Sequence, residues 1–480
     1  MTALSRLTRP PRPQQGIALL VMVVFLLLSG LLFFLTATNL EGPHRERAKR
    51  SQEALDLAKQ SLLAYAITYG DTHSTVPGYL PCPDEGNTTE GSYAGSCGSQ
   101  NVSQLGKLPW KTLDMAPVRD GQGECLWLAV AGTFKNNPKT GLLNWDTPGL
   151  FDVYSPSASQ QIAGPSPLDR AVAVIFAPGG AFGSQSHAAS GSIPSCGGNY
   201  TAANYLDSEG NINNAVINPL AGGISSFLFA TDSRLTPSDS DHFNDRLSYI
   251  TAREVFDRIE HRKDFPTSIR NLLRYTAQCV AAYGNANGIQ RLPWAAPVSL
   301  ADYNNDASYS DQTGLLAGRL AFNLTSSNQI ISGPIGMMHG YSGGILSNSL
   351  TSYCPSTPVP EQWRQNWKDQ IFYAVADAYK PTTAANCSSG HCLSVNGTGQ
   401  YAAVLLFSGR RLAALAQSRD TAGEKGATGN YLEDSNKTAV NLADGRGNFT
   451  SAAASATFND IVMCIKPTGG TFSVDENCNP

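Results

Sequence analysis

The chain has 480 residues and a formal net charge of −4, with 41% hydrophobic but only 15% charged residues. No basic cluster lies beyond the N-terminus, so nucleic-acid binding has no electrostatic footprint. The length favours two or three domains, and a surface of Ser, Thr, Asn and Gly rather than ions points away from an intracellular enzyme. In chain order, Arg6, Arg9 and Arg12 precede an uncharged run from Ile17 to Leu35. At about 1.5 Å per residue this run approaches the ~30 Å hydrocarbon layer of a bilayer. The arginines place the start in the cytoplasm, so the expectation is a single-pass inner-membrane protein whose bulk is periplasmic. The competing reading is a removable signal cut after Ala37. Against it, Leu55, Ala58, Leu62, Ala66 and Tyr69 continue one helical stripe beyond the run. Gly42 and Pro43 are expected to kink or interrupt the helix between the two parts.

The segment "QQG" followed by "IALLVMVVFLLL" resembles the type IV pilins and the pseudopilins of type II secretion. The resemblance implies a leader over 1–16 removed by prepilin peptidase after Gly16, and Ile17 as a methylated amino terminus. It implies a retained helix that packs into a filament through positions such as Val21, Phe25, Leu28 and Leu32. The implied partners are other pilins or pseudopilins, prepilin peptidase and an inner-membrane assembly platform. Two positions depart from the pattern. Ile17 stands where major pilins have Phe, and Val21 stands where most have Glu. A carboxylate in hydrocarbon must have a partner, so a subunit without it resembles a minor, tip-type member. The likeness covers about the first 70 residues.

Beyond it the chain repeats itself. "LWLAVAGTF" (126–134) returns as "IFYAVADAY" (371–379), and "AVAVIFAPGG" (171–180) as "AAVLLFSGRR" (402–411). "NYLDSEGN" from Asn204 returns as "NYLEDSN" from Asn430, and "FNDRLSYI" from Phe243 as "FNDIVMCI" from Phe458. The offsets are 245, 231, 226 and 215 residues, in the same order along the chain, and read as a tandem duplication with a period near 225. The expected fold is α+β: a transmembrane helix (17–40) continuing into two pilin-like modules (41–250 and 251–480), each a helix packed on an antiparallel sheet. Helices are expected over "TAREVFDRIEHRKDF" and "TSIRNLLRYTAQCVAAYG", divided at Pro266. Strands are expected at 172–176, 227–231, 246–251, 403–407 and 460–465.

The chemical motifs are weak. Gly340, Ser342 and Gly344 match a nucleophile elbow, but glycines and Pro334 break the segment before it. "FAPGGAFG" lacks the order of a phosphate loop. Asp302, Asn304, Asp306 and Asp311 gather hard oxygens that could hold calcium, without the EF-hand order; the alternative is a solvated turn-rich loop. Trp110 and Trp294 read as core. Asp245 and Asp460, in the repeated Asn-Asp, read as a turn or strand-entry device rather than a catalytic pair. Ten cysteines imply up to five disulfides in an oxidising compartment. The short-range candidates are Cys82–Cys97, Cys387–Cys392 and Cys464–Cys478; a metal site at Cys387, His391 and Cys392 lacks a second ligand pair. The expectation is a non-enzymatic assembly subunit without a resident cofactor. Its rivals are an anchored extracytoplasmic hydrolase using Ser342 and an adhesin carried on a pilin-type helix.

Overall fold

The computed structural model describes residues 15–478 except 88, 94, 96, 156–159, 182, 190–195, 197, 230–242, 345, 383–386, 388 and 389; side chains of 15–19, 32–44, 358 and 359 are also outside the description. The expected leader, the side chains of Gly16, Ile17 and Leu32, and the end of the strand expected at 227–231 therefore lie outside the described residues.

One helix, α1 (Gln15–Thr72), opens the described chain and runs past Gly42 and Pro43, so the expected interruption there is corrected. The transmembrane helix expected over 17–40 is corrected too. Among the described residues no helix is long and apolar enough to cross a membrane. The described apolar side chains run from Leu20 to Leu31, about 18 Å of helix against the ~30 Å required. The fold expected around such a span, and the single-pass inner-membrane placement, fall with it. The far half of α1 is different. Leu55, Ala58, Leu62, Leu63, Ala66 and Tyr69 are buried, and this stripe packs on two neighbouring strands of the first half and the helix that follows them.

The chain is α+β, with several sheets. The first half has nine strands: β1 (Gln104–Lys107), β2 (Trp127–Val130), β3 (Phe151–Tyr154), β4 (Gln161–Ala163), β5 (Ala171–Ala177), β6 (Ser208–Glu209), β7 (Ile212–Asn213), β8 (Ser225–Leu228) and β9 (Arg246–Thr251). Seven form one sheet in the order β1-β2-β5-β3-β4, with β8 on β3 and β9 on β5, while β6 and β7 pair alone. Every residue of β5 is buried, which suits a Val- and Ala-rich run covered on both faces. Next come α2 (Ala252–Glu260) and α3 (Phe265–Ala286). The Thr251 hydroxyl accepts from the Glu254 N–H at 3.1 Å and caps α2. Pro266 sits in the first turn of α3, where its missing N–H costs nothing.

The second half adds β10 (Ala317–Arg319), β11 (Ile371–Val375), β12 (Leu393–Val395), β13 (Thr398–Tyr401), β14 (Ala403–Phe407), β15 (Asn448–Phe449), β16 (Ile461–Thr468) and β17 (Thr471–Asp475). Its main sheet has the order β10-β11-β14-β16-β17. Both halves thus contain an antiparallel path through four strands, β1-β2-β5-β9 and β10-β11-β14-β16. In the first, Trp127 pairs with Phe176, and Phe176 with Leu247; in the second, Phe372 pairs with Leu406, and Phe407 with Ile461. The far half of α1 covers β5 and β9, as α3 covers β14 and β16. One continuous apolar core runs through both halves. Trp145 of the first half meets Trp367 of the second edge-on at 4.6 Å between ring centroids.

Five disulfides are present: Cys82–Cys97, Cys125–Cys196, Cys279–Cys354, Cys387–Cys392 and Cys464–Cys478. The last of these ties β16 to the chain end. Loop length separates their expected worth. Cys125 and Cys196 are 71 residues apart and Cys387 and Cys392 only 5. Replacing the first pair by Ser is expected to lower unfolding free energy by about 2 kcal/mol more than replacing the second, because loop-closure entropy grows with the logarithm of length. Urea unfolding of the two double variants measures this; equal losses would refute it.

Candidate functional site

The most unusual surface belongs to α1. Leu20, Val21, Met22, Val23, Val24, Phe25, Leu26, Leu27, Leu28 and Leu31 are all exposed, Phe25 to 72%. Successive residues of a helix point about 100° apart, so this run is apolar on every side rather than along one stripe. No contact with the core covers it. After it come Glu46 with Arg50 and Glu53 with Lys49, ion pairs at i,i+4 spacing, which suit a solvated stretch. The helix then joins the first sheet, where Lys59 pairs with Glu254 of α2 at 3.0 Å. An apolar rod is therefore held on a folded body by its far end. Val21, Phe25 and Leu28 lie in the exposed stretch.

The other residues singled out from sequence are not brought together. Asp306 pairs with Arg364 and Lys368 at 2.9 and 2.6 Å. Asp311 is buried and accepts the N–H groups of Ser326 and Ser327. Asp302 accepts the N–H of Asn304, whose carbonyl takes a hydrogen bond from Lys368 Nζ. These oxygens serve protein donors. Among the described residues no group of three or more His, Cys, Asp or Glu is arranged to hold a metal. Ser342 follows the short helix α5 (Pro334–Met338), the second of two after β10 (the first is α4, Thr325–Ile331), rather than a strand. A nucleophile elbow lacks its scaffold there. His391 Nδ1 lies 2.7 Å from Asp377 and takes no part near Ser342.

Comparison with known proteins returns no match, whether with family models, curated proteins or solved structures.

Two polar clusters carry more structure than the sequence suggested. The first occurs once in each half. Asp245 accepts the backbone N–H of Asp207 and the amide of Asn214 at 2.8 and 2.9 Å. Asp460 accepts the backbone N–H of Glu433 and the amide of Asn436 at 3.1 and 2.9 Å. The carboxylates of Asp207 and Glu433 in turn accept the N–H groups of Asn244 and Asn459. In both halves the second oxygen of the buried Asp and the amide oxygen of the preceding Asn find no partner among the described residues. Gly179 and Gly409 face those Asn side chains so closely that a Cβ at either would collide with the amide. Burial, with Asp207 alongside, pushes the Asp245 carboxyl far above its ordinary range; burial, with Glu433 alongside, does the same to Asp460. Asp245 and Asp460 stand immediately before β9 and β16, the strand-entry position expected of them, and each also acts as a paired-carboxyl fastener. Each ties the long excursion between two adjacent strands (β5 to β9, β14 to β16) back to the sheet.

The second cluster joins the halves. Asp146, wholly buried, accepts Arg411 Nε at 2.8 Å, Arg419 Nη1 at 2.9 Å and Gln370 Nε2 at 2.8 Å. Burial pushes its carboxyl upward, but Arg419 and Arg411 outweigh that and hold it below the ordinary range. Asn144 donates to Asp369 Oδ1 and to the Asn366 carbonyl, both at 2.8 Å.

Proposed function

We propose that this chain is a structural assembly subunit of the pilin or pseudopilin type, joined to neighbouring subunits by the apolar stretch of α1. The observation that carries the reading is the ring of exposed apolar side chains from Leu20 to Leu31 on a helix whose far half is locked into a folded body. Each large apolar side chain contributes about 1.5–3 kcal/mol when removed from water, so packing such rods side by side yields a strong, non-directional association. The partners are equivalent helices of other subunits, with prepilin peptidase and an assembly platform acting before assembly. Processing after Gly16 would leave Ile17 as the amino terminus. Val21 in place of the pilin glutamate assigns the chain a minor, tip-type position rather than the shaft. The five disulfides favour an oxidising compartment, and the two halves are read as copies of one module. Catalysis has no part in this reading.

Two measurements test it. Mass spectrometry of the native protein should give an amino terminus at Ile17. Single cysteines at Val21, Phe25 or Leu28 should cross-link to neighbouring subunits, and Phe25→Asp should abolish cross-linking at the other two while leaving the unfolding transition of the body unchanged. A native chain lacking this stretch, or cross-linking unaffected by Phe25→Asp, refutes the proposal.

A further inference from the structure

A cleft of about 250 Å3 opens where the two halves meet. The first half supplies Asp146; Arg253, at the start of α2, and Arg410, Arg411, Gln417 and Asp420 come from the second. We propose that this cleft is a binding site for a small ligand bearing a single carboxylate.

Three guanidinium groups line the cleft with donors left over. Arg253 uses Nε on Asp169 at 2.9 Å, and both its Nη groups are unengaged among the described residues. Arg410 uses Nη1 on Asp257 and Glu260, at 2.6 and 2.8 Å, leaving Nε and Nη2. Arg411 spends Nε on Asp146 and Nη1 on Asp420; its Nη2 is buried with no acceptor. The carboxylates that hold Arg253 and Arg410 in place do not line the cleft. They hold the forks from outside the lining, while the Arg253 and Arg410 side chains stay partly exposed. A planar fork of donors matches the two oxygens of a carboxylate.

Charge and size narrow the ligand. Asp146 is already spent on Arg411 and Arg419, but Asp420 stays a quarter exposed at the wall. A dianion would meet that charge and the acids behind it, so a monovalent group is preferred to phosphate. The volume lies below the ~300–1,000 Å3 typical of sites for drug-sized ligands, which limits the occupant to one compact unit. The site exists only when both halves are docked, so its ligand also strengthens the docking by mass action. This inference stands apart from the assembly role of α1.

The test titrates the full-length protein by calorimetry with glucuronate, acetate, glucose and inorganic phosphate. The expected result is binding of both carboxylates, silence from glucose and weaker binding of phosphate. Glucuronate stronger than acetate places the carboxylate on a sugar; equal strength places it on any small acid. Half a molar NaCl should weaken binding by screening. Arg253→Gln, at a half-exposed position the fold does not depend on, should lower affinity about tenfold through loss of a charged hydrogen bond. Failure of both carboxylates to bind, glucose binding as well as glucuronate, phosphate binding more tightly, or Arg253→Gln binding unchanged overturns the proposal.

Discussion

Asp146→Ala is expected to lower the unfolding free energy by about 3–5 kcal/mol, the usual loss when one partner of a buried ion pair is removed. The substitution takes a carboxylate from Arg419, whose side chain has 0% exposure, and from Arg411, at 15%. It also takes from the Gln370 amide one of its two acceptors, the other being Asp369. Arg411 keeps Asp420, but Arg419 is left a buried cation held only by neutral acceptors, Gln370 Oε1 and the carbonyls of Asn430 and Gly409. The comparison that isolates burial is Asp420→Ala. Asp420 also pairs with Arg411, but its side chain is 25% exposed, so its loss should cost no more than about 1 kcal/mol. Urea unfolding of the two variants measures the difference. Because the hub around Asp146 joins the halves, Asp146→Ala should also broaden or split the urea transition. If Asp146→Ala loses no more than Asp420→Ala, the hub is not what holds the halves together.

How much of this was legible depended on the range of the interaction. The stripe Leu55 to Tyr69 and the buried run of β5 follow from local periodicity, which residues impose on themselves. The three short-range cysteine pairs are candidates because each closes a small polar or Gly-rich loop, whereas the pairing as a whole is not readable from sequence. The repeated "NYL" and "FND" segments marked the right residues, yet their role stayed hidden. Asp207 and Asp245 are 38 positions apart, and only the folded excursion shows that one closes on the other. The hub was invisible for the same reason, since Asp146 and Arg411 are 265 positions apart and neither stands in a periodic segment. The Asp302–Asp311 loop misled in the opposite sense. Carboxylates close in sequence suggest one ion, but Arg364 and Lys368 both engage Asp306, and two serine N–H groups engage Asp311. Apolar length alone also suggested a membrane span that the described helix does not supply.

Stability should fall as pH rises above the ordinary carboxylate range, and the pairs around Asp245 and Asp460 should be the cause. Both carboxyls are raised well above their ordinary value, first by burial and then by a carboxylate neighbour. The unfolded chain releases those protons near pH 4, while the folded chain keeps them. Between the unfolded and the folded value the native state therefore binds more protons, and unfolding free energy decreases with pH. The stabilisation is fully present below about pH 4 and is lost as pH climbs through the raised folded values, with a slope of about 1.4 kcal/mol per pH unit for each proton involved. The surroundings do not cancel this. Asp207, itself raised chiefly by burial, has Gln185 and the more distant His187 as partners; Glu433 has the neutral Gln417 amide. Asp245→Asn with Asp460→Asn keeps the shape and removes the titration. The double variant should unfold at higher urea than the parent at pH 8, show a flatter pH dependence between 5 and 8, and differ least near pH 4. A parent-like slope in that variant would mean that the two fasteners hold no proton of their own.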